Sequence, residues 1–260
     1  MQNYLWVGVL SFSASILAQT AFAAIDGQAS VATGFDSSSG NYGSSSTTNI
    51  LAIPVIGKYE TESWLFKVSV PYLQVTTLTG VIPGIGNGNL KKTGTVSATT
   101  QSGLGDVVMA STYYAIDGGK DTTGLDLTAK IKLPTADRNA GLGTGEFDYA
   151  LQADVYQSMD KITVSASLGR KFLGSSAALP LNDIFYASVG GGYRISDKMN
   201  AGVNLDVAQA TSASGSSQIE VTGNISRKID KTKKIQAYLL KGFTDGSPDI
   251  GYGVLLTLAL

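Results

Sequence analysis

Along most of the chain apolar and polar residues alternate one for one, in runs of about ten. A period of two puts successive side chains on opposite faces of an extended strand, whereas a helical period would scatter the polar residues around the axis. The clearest run is Met199 to Ala208. Met199, Ala201, Val203, Leu205 and Val207 fall on one face, and Asn200, Gly202, Asn204, Asp206 and Ala208 on the other. In Leu125–Leu133 the apolar Leu125, Leu127, Ala129, Ile131 and Leu133 oppose Asp126, Thr128, Lys130 and Lys132. Ile162–Gly169 and Gln218–Ser226 behave alike. Weaker strands are predicted over Gln28–Asp36, Thr48–Tyr59, Trp64–Val75, Val107–Ile116, Tyr149–Gln157, Phe185–Ile195, Lys234–Phe243 and Ile250–Leu260. β-branched residues inside the runs and Gly, Asp and Ser at their ends favour strands. The prediction is an all-β chain, an antiparallel up-and-down transmembrane barrel of about twelve strands with both termini on one side.

The connections agree with that count. Glu60–Ser63, Ser158–Lys161, Ser196–Lys198 and Ile229–Lys233 are short, and Asp117–Gly124 is somewhat longer. Between them lie Ser37–Thr47, Thr76–Asp106, Pro134–Asp148, Gly174–Ile184, Gln209–Ser217 and Thr244–Asp249. Short turns at the periplasmic end and long loops outside are the barrel pattern. The longest, Thr76–Asp106, has the length to fold inward as a constriction, and its Gly, Ser and Thr also suit an exposed tip.

Alternation does not say which face is outside. A soluble β-sandwich or lipocalin-like barrel alternates too, with its apolar residues inward. Two features favour the membrane. The polar face carries hydroxyls, amides and charges, as a wet lumen would. Aromatics also fall near strand ends, at Tyr59, Trp64, Tyr72, Tyr149, Phe172, Phe185, Tyr193, Phe243 and Tyr252, as in interfacial girdles.

The first residues belong to export rather than to the fold. Leu5–Ala18 is apolar and leads to Ala21-Phe22-Ala23, a small-x-small cleavage site, although residues 1–4 hold no Lys or Arg. Residues 1–23 are therefore read as a signal peptide and 24–260 as one barrel domain. No later stretch has enough consecutive apolar residues for a transmembrane helix, which leaves a closed barrel as the way to span a bilayer. The net charge of −1 gives no reason to expect nucleic acid. The chain has neither Cys nor His. Disulfides, Cys–His and Ser–His–Asp nucleophiles and the usual zinc sites are thereby excluded. No carboxylate pair stands out by its spacing, and Gly84, Gly86 and Gly88 do not lie between a strand and a helix as a phosphate loop would. No catalytic residue, metal or cofactor is expected.

The last strand alternates through Tyr252, Val254, Leu256, Leu258 and Leu260 to the final residue. This resembles the terminal signature that outer-membrane proteins present to their assembly machinery, with Leu260 where an aromatic usually stands. Three internal segments carry a second resemblance: Val70-Pro71-Tyr72; Gly103-Leu104-Gly105-Asp106-Val107; and Lys132-Leu133-Pro134-Thr135-Ala136-Asp137, followed by Leu142-Gly143-Thr144-Gly145 and Asp148-Tyr149. Together they resemble the outer-membrane transporters associated with the meta-pathway of phenol degradation. The resemblance implies passage of hydrophobic or aromatic compounds. Read physically, these residues punctuate strand ends. Pro134 ends a strand, Gly141, Gly143 and Gly145 permit positive φ, and Asp106, Asp137 and Asp148 accept from turn amides. A functional rim at a pore mouth is the other reading of Gly103, Gly105, Asp106, Pro134, Gly143 and Gly145.

The charges on predicted inward faces are Lys67, Asp126, Lys130, Lys132, Asp154, Lys171, Arg194, Asp206 and Glu220. They either pair and fill the lumen or line a narrow path and bias it by charge. Arg170 falls on the opposite face, where it can reach the membrane interface. Barrels of this size lie between filled and open ones. The expected function is passive uptake of small, hydrophobic or aromatic molecules through the outer membrane. The alternative is a structural or adhesive barrel acting through external loops. Expected partners are outer-membrane lipids, a small-molecule solute and the barrel-assembly machinery.

Overall fold

A computed structural model describes residues 27–44, 46–77, 99–118, 122–177, 179–213 and 215–260. The predicted signal peptide lies outside the described residues, as do residues 78–98 of the longest connection. Among the described residues the elements are β1 (Gln28–Gly40), β2 (Thr48–Glu60), β3 (Trp64–Thr77), β4 (Thr99–Leu104), β5 (Val107–Ile116), β6 (Thr123–Leu133) and β7 (Asp148–Met159). They continue with β8 (Ile162–Phe172), β9 (Ile184–Ser196), β10 (Met199–Ala208), β11 (Gln218–Lys228), β12 (Lys233–Gly242) and β13 (Ile250–Ala259).

Each long strand pairs antiparallel with its sequence neighbours, and β1 pairs with β13 from Ser30↔Ala259 to Ser39↔Ile250. The sheet therefore closes on itself, and among the described residues only the short β4, paired with β3 alone, keeps an unpaired side. Twelve strands form the barrel, as the alternation predicts, and β4 is an addition that the sequence reading placed inside a loop. Its origin is a break in register. β3 pairs with β5 up to Ser69↔Val108 and with β4 from Tyr72↔Leu104 onward. Val70 and Pro71 thus face Gly105, Asp106 and Val107, a bulge with one extra residue on one side. Pro71 has no N–H to give the ladder, and its carbonyl accepts from Gly105 N at 2.8 Å. β4 and β5 are in effect one stave bent at Gly105-Asp106.

The apolar face points outward. Val164 is 43% and Val203 53% exposed, while Asn204, adjacent to Val203, is 7% exposed. Only a lipid-facing wall gives apolar side chains on the outside and polar ones within. Aromatics mark both margins. Trp64 packs on Tyr113 and Phe66, with ring centroids 4.9 and 6.0 Å apart, and Phe35 meets Tyr252 edge-on at 6.3 Å. Arg170 projects outward as expected. It lies 4.9 and 5.3 Å from the ring centroids of Phe172 and Phe185, and 3.4 Å from Asp183. The short-turn end is built from local side-chain acceptors. Asp230 Oδ1 takes hydrogen bonds from Thr232 N at 2.8 Å and Lys233 N at 2.9 Å. These bonds, the one from Thr232 foremost, hold its carboxyl below the usual carboxylate range.

The facing can be tested at two adjacent positions of β8. Val164→Arg puts a charge against lipid and should lower folding stability by roughly 2–4 kcal/mol. Ser165→Arg, turned to the lumen, should cost far less. Urea titration of the heat-modifiable folded band measures both, and equal losses would reverse the assignment of the faces.

Candidate functional site in the barrel lumen

The family-like segments come together at the long-loop end, around the bend in the β4–β5 stave. Lys132, near the end of β6, turns inward and is buried between two carboxylates. Its Nζ lies 2.8 Å from Asp148 and 3.2 Å from Asp106, and it donates to Thr144 Oγ1 at 2.8 Å. The carboxylates are themselves held. Asp106 Oδ1 accepts from Ala136 N at 3.0 Å, and Asp148 Oδ1 from Gly174 N at 2.9 Å. Thr135 Oγ1 accepts from Val107 N at 2.8 Å and donates to Gly105 O at 3.1 Å. Pro134 ends β6 and sends the chain inward over this knot. Gly141 and Gly145 take the left-handed conformation, with φ of 73° at each. Gly143 is needed for a different reason. A Cβ there would meet the Ala136 Cβ at 2.6 Å and Asp106 Oδ1 at 2.9 Å. The motif residues therefore pin the segment between β6 and β7 to the broken stave, which is more than strand-end punctuation.

The pinned segment covers an apolar patch on the inner wall. Ile50 and Ala52 of β2, Leu73 and Val75 of β3, Tyr42 of the first loop, and Ala136 and Leu142 form one buried cluster. Simple alternation assigns apolar residues to the outside, and here the upper part of β3 departs from it. Gln74 and Thr76 face out while Leu73 and Val75 face in. Burial raises the Tyr42 phenol well above the ordinary tyrosine range, so it stays neutral.

Below this patch the register lines up most of the remaining inward charges in two rows, with Asp36 of β1 and Lys234 of β12 outside both. In the first, Lys58 opposes Lys67, Lys67 opposes Ala110, Ala110 opposes Lys130, Lys130 opposes Ala150, and Ala150 opposes Lys171. In the second, Asp126 opposes Asp154, Asp154 opposes Ser167, Ser167 opposes Ser188, Ser188 opposes Asp206, and Asp206 opposes Glu220. Between the rows runs a neutral one with Thr128, Gln152, Gly169 and Tyr186 in register. Gln152 joins them. Its Oε1 accepts from Lys130 Nζ at 2.8 Å and from the Tyr186 hydroxyl at 2.9 Å, and its Nε2 donates to Asp154 at 2.6 Å. The ammonium groups of Lys130 and Lys171 lie 6.0 and 5.5 Å from the centroid of the Tyr186 ring.

The predicted inward charges thus separate into four groups. Lys67, Lys130 and Lys171 lie on the cationic row, and Asp126, Asp154, Asp206 and Glu220 on the anionic one. Lys132 is drawn out of the wall into the mouth knot. Arg194 sits at the short-turn rim, where its guanidinium donates to the carbonyl of Asp160. Lys58 was missed by sequence reasoning, although it alternates inward with Ile56 and Glu60. Tyr186 and Gln152 were missed because neutral polar residues carry no charge signal. The inward apolar cluster depends on a loop that folds back, which no local pattern announces.

Closed sheet, apolar exterior and charged interior define an outer-membrane-type β-barrel with a lined lumen. More narrowly, the chain belongs to the family described as "Putative MetA-pathway of phenol degradation", which matches residues 21–259. No curated protein matches it in sequence. Among solved structures it is similar to the COG4313 outer membrane channel from Pseudomonas putida F1. The TM-score is 0.66 at 14% identity, over 92% of this chain and 97% of that one. It is also similar to the KdgM porin, with a TM-score of 0.55 at 10% identity over 89% and 99% of the two chains. The transport unit of the autotransporter AIDA-I from Escherichia coli gives 0.51 at 10% identity over 95% and 94%. At these identities the likeness is one of fold.

The mouth knot yields a stability test. Lys132→Met leaves two buried carboxylates without their counter-charge and should cost about 3–5 kcal/mol. The loss should appear in the urea midpoint, together with faster proteolysis within residues 134–147. Arg138→Gln is the control, since the exposed Arg138–Glu146 pair at 3.7 Å should contribute no more than about 1 kcal/mol. Equal effects of the two substitutions would mean that the buried knot does not hold the segment.

Proposed function

We propose that the protein is a passive channel of the outer membrane for small, hydrophobic or aromatic molecules, and that it does no covalent chemistry. The carrying observation is the inner wall of the closed barrel, where two rows of ionisable side chains, Lys58 to Lys171 and Asp126 to Glu220, flank a neutral row with the half-buried Tyr186. A lumen filled only for stability has no need to stack like charges in register. A passage for solutes with an aromatic body uses a polar lining and an inward ring such as that of Tyr186. The name of the COG4313 channel and the family's description supply supporting context. On this reading residues 1–23 are removed during export, 24–260 form the barrel, and the assembly machinery reads the last strand. The pore-lining residues are those of the two charged rows, with Lys132 and Arg194 at the two ends.

Two measurements test the proposal. Fractionation should place the protein in detergent-extracted, salt-resistant outer membrane. Purified and folded into liposomes, it should speed the entry of a small phenol over protein-free vesicles. Tyr186→Ala, which removes the inward ring between the charged rows, should reduce that entry roughly tenfold, the ratio that corresponds to about 1.4 kcal/mol. A barrel that folds and inserts yet admits neither ions nor phenol would favour the structural or adhesive reading.

A further inference from the structure

The two charged rows do not run level with the membrane. Lys58 lies close to the short-turn end of β2, whereas Lys171 lies next to the long-loop end of β8. A row that follows the hydrogen bonds is perpendicular to tilted strands and so climbs the wall. With strands about 4.8 Å apart and tilted by about 40°, each step round the barrel raises it by ~3 Å. The acidic row climbs in the same sense, from Asp126 low on β6 to Glu220 near the long-loop end of β11.

On β6, the strand that carries both, Asp126 lies four residues below Lys130. Four residues of a tilted strand span ~10 Å along the axis, so the acidic row regains the height of the lysine row about three strands further round. Three strands are a quarter of the circumference of a twelve-stranded barrel. Lys58 is thus level with Asp126, Lys67 with Asp154, and Lys171 with Glu220. At these three heights, low and high in the barrel, a solute meets an ammonium on one wall and a carboxylate a quarter-turn away, while Lys130 and Asp206 stand at heights between them. The field across the lumen is transverse and turns as it climbs. Its acidic side also has open valences. Asp126, 5% exposed, keeps Oδ1 without a hydrogen-bond partner, and Asp206 keeps Oδ2 so.

We propose that the preferred solutes are small aromatic zwitterions, whose ammonium follows the acidic row while their carboxylate follows the lysine row. This rests on the channel reading and names its substrate class. A solute with one charge gains from one row and is held off by the other, and an uncharged one gains from neither. A zwitterion gains from both, and its ring can stack on Tyr186 beside the lysine row. Burying a carboxylate oxygen without a partner is costly, and the ammonium of the solute offsets that cost on the acidic wall.

The test compares four probes that share a phenyl ring: phenylalanine, phenylacetate, phenethylamine and 2-phenylethanol. Protein-dependent influx into liposomes, less that of protein-free vesicles, should be fastest for phenylalanine. Lys67→Gln with Lys130→Gln should slow phenylalanine and phenylacetate, and Asp206→Asn with Glu220→Gln should slow phenylalanine and phenethylamine. Each loss should be roughly tenfold, as for one close-range charge partner removed. The lysine variant should also shift the reversal potential in a KCl gradient toward cation preference and the acid variant toward anion preference. Heat-modifiable migration verifies folding, and the four single substitutions serve where a double variant does not fold. Influx of phenylalanine no faster than that of the alcohol, or unchanged in both variants, overturns the proposal while leaving a channel. No protein-dependent influx of any probe overturns the channel reading and this proposal together.

Discussion

A chain that crosses hydrocarbon with strands must satisfy every backbone N–H and C=O inside its own sheet, because lipid offers no partner. Here that constraint is met by closure, with β1 hydrogen-bonded to β13 and each stave, β4 and β5 counted as one, to its neighbours. Closure fixes the register of every strand against two others at once. Side chains alternate strictly, so register also decides which residues see lipid and which see the lumen. The apolar belt, the lined interior and the alignment of charges across strands all follow from this one ladder of backbone bonds.

The register of the ladder breaks between β3 and the β4–β5 stave, and there side chains take over. Pro71 cannot donate, and the opposing stave carries an extra residue at Gly105-Asp106. Backbone groups freed by the bulge are met by Thr135, whose hydroxyl binds Val107 N and Gly105 O. Asp106, displaced from the regular alternation, becomes one of two carboxylates around Lys132. A buried ion pair contributes little net stability on average but makes the loss of either partner expensive. Such a pair specifies geometry, here by fixing the segment that carries Ala136 and Leu142 over the inner apolar patch.

How much of this was legible beforehand depended on range. β10 was read residue for residue, because ten alternating positions with one polar face leave no other periodicity. The inward face of Lys67, Asp126, Lys130, Asp154, Lys171, Asp206 and Glu220 followed from the same parity. β4 was not legible. Its pairing with Tyr72–Thr77 is set by a bulge, and a bulge is a relation between two strands rather than a property of either. Lys132 looked like another wall lysine, since nothing local distinguishes it from Lys130. What separates them is that β6 ends at Pro134, bringing Thr144 and Asp148 back over the upper residue only. Gly143 looked like a turn glycine for the same reason. Its need is set by Asp106 and Ala136, both distant along the chain or across the loop.

The charge rows belong to an intermediate class. Each residue was recognisable singly, but their order was not, because sequence gives parity within a strand and says nothing of register between strands. Once register is known, Asp126, Asp154, Asp206 and Glu220 cease to be scattered acids and become steps of one climbing line, with the lysines in a parallel line above. Like charges in one row repel, and a fold selected for stability alone would interleave them with opposite charges at the same register. Lys58 stands directly against Lys67, Asp126 against Asp154, and Asp206 against Glu220. Such pairs are unfavourable when opposite one another in a sheet. Their clustering by sign is therefore better explained by the field they create in the lumen than by the stability they give the wall.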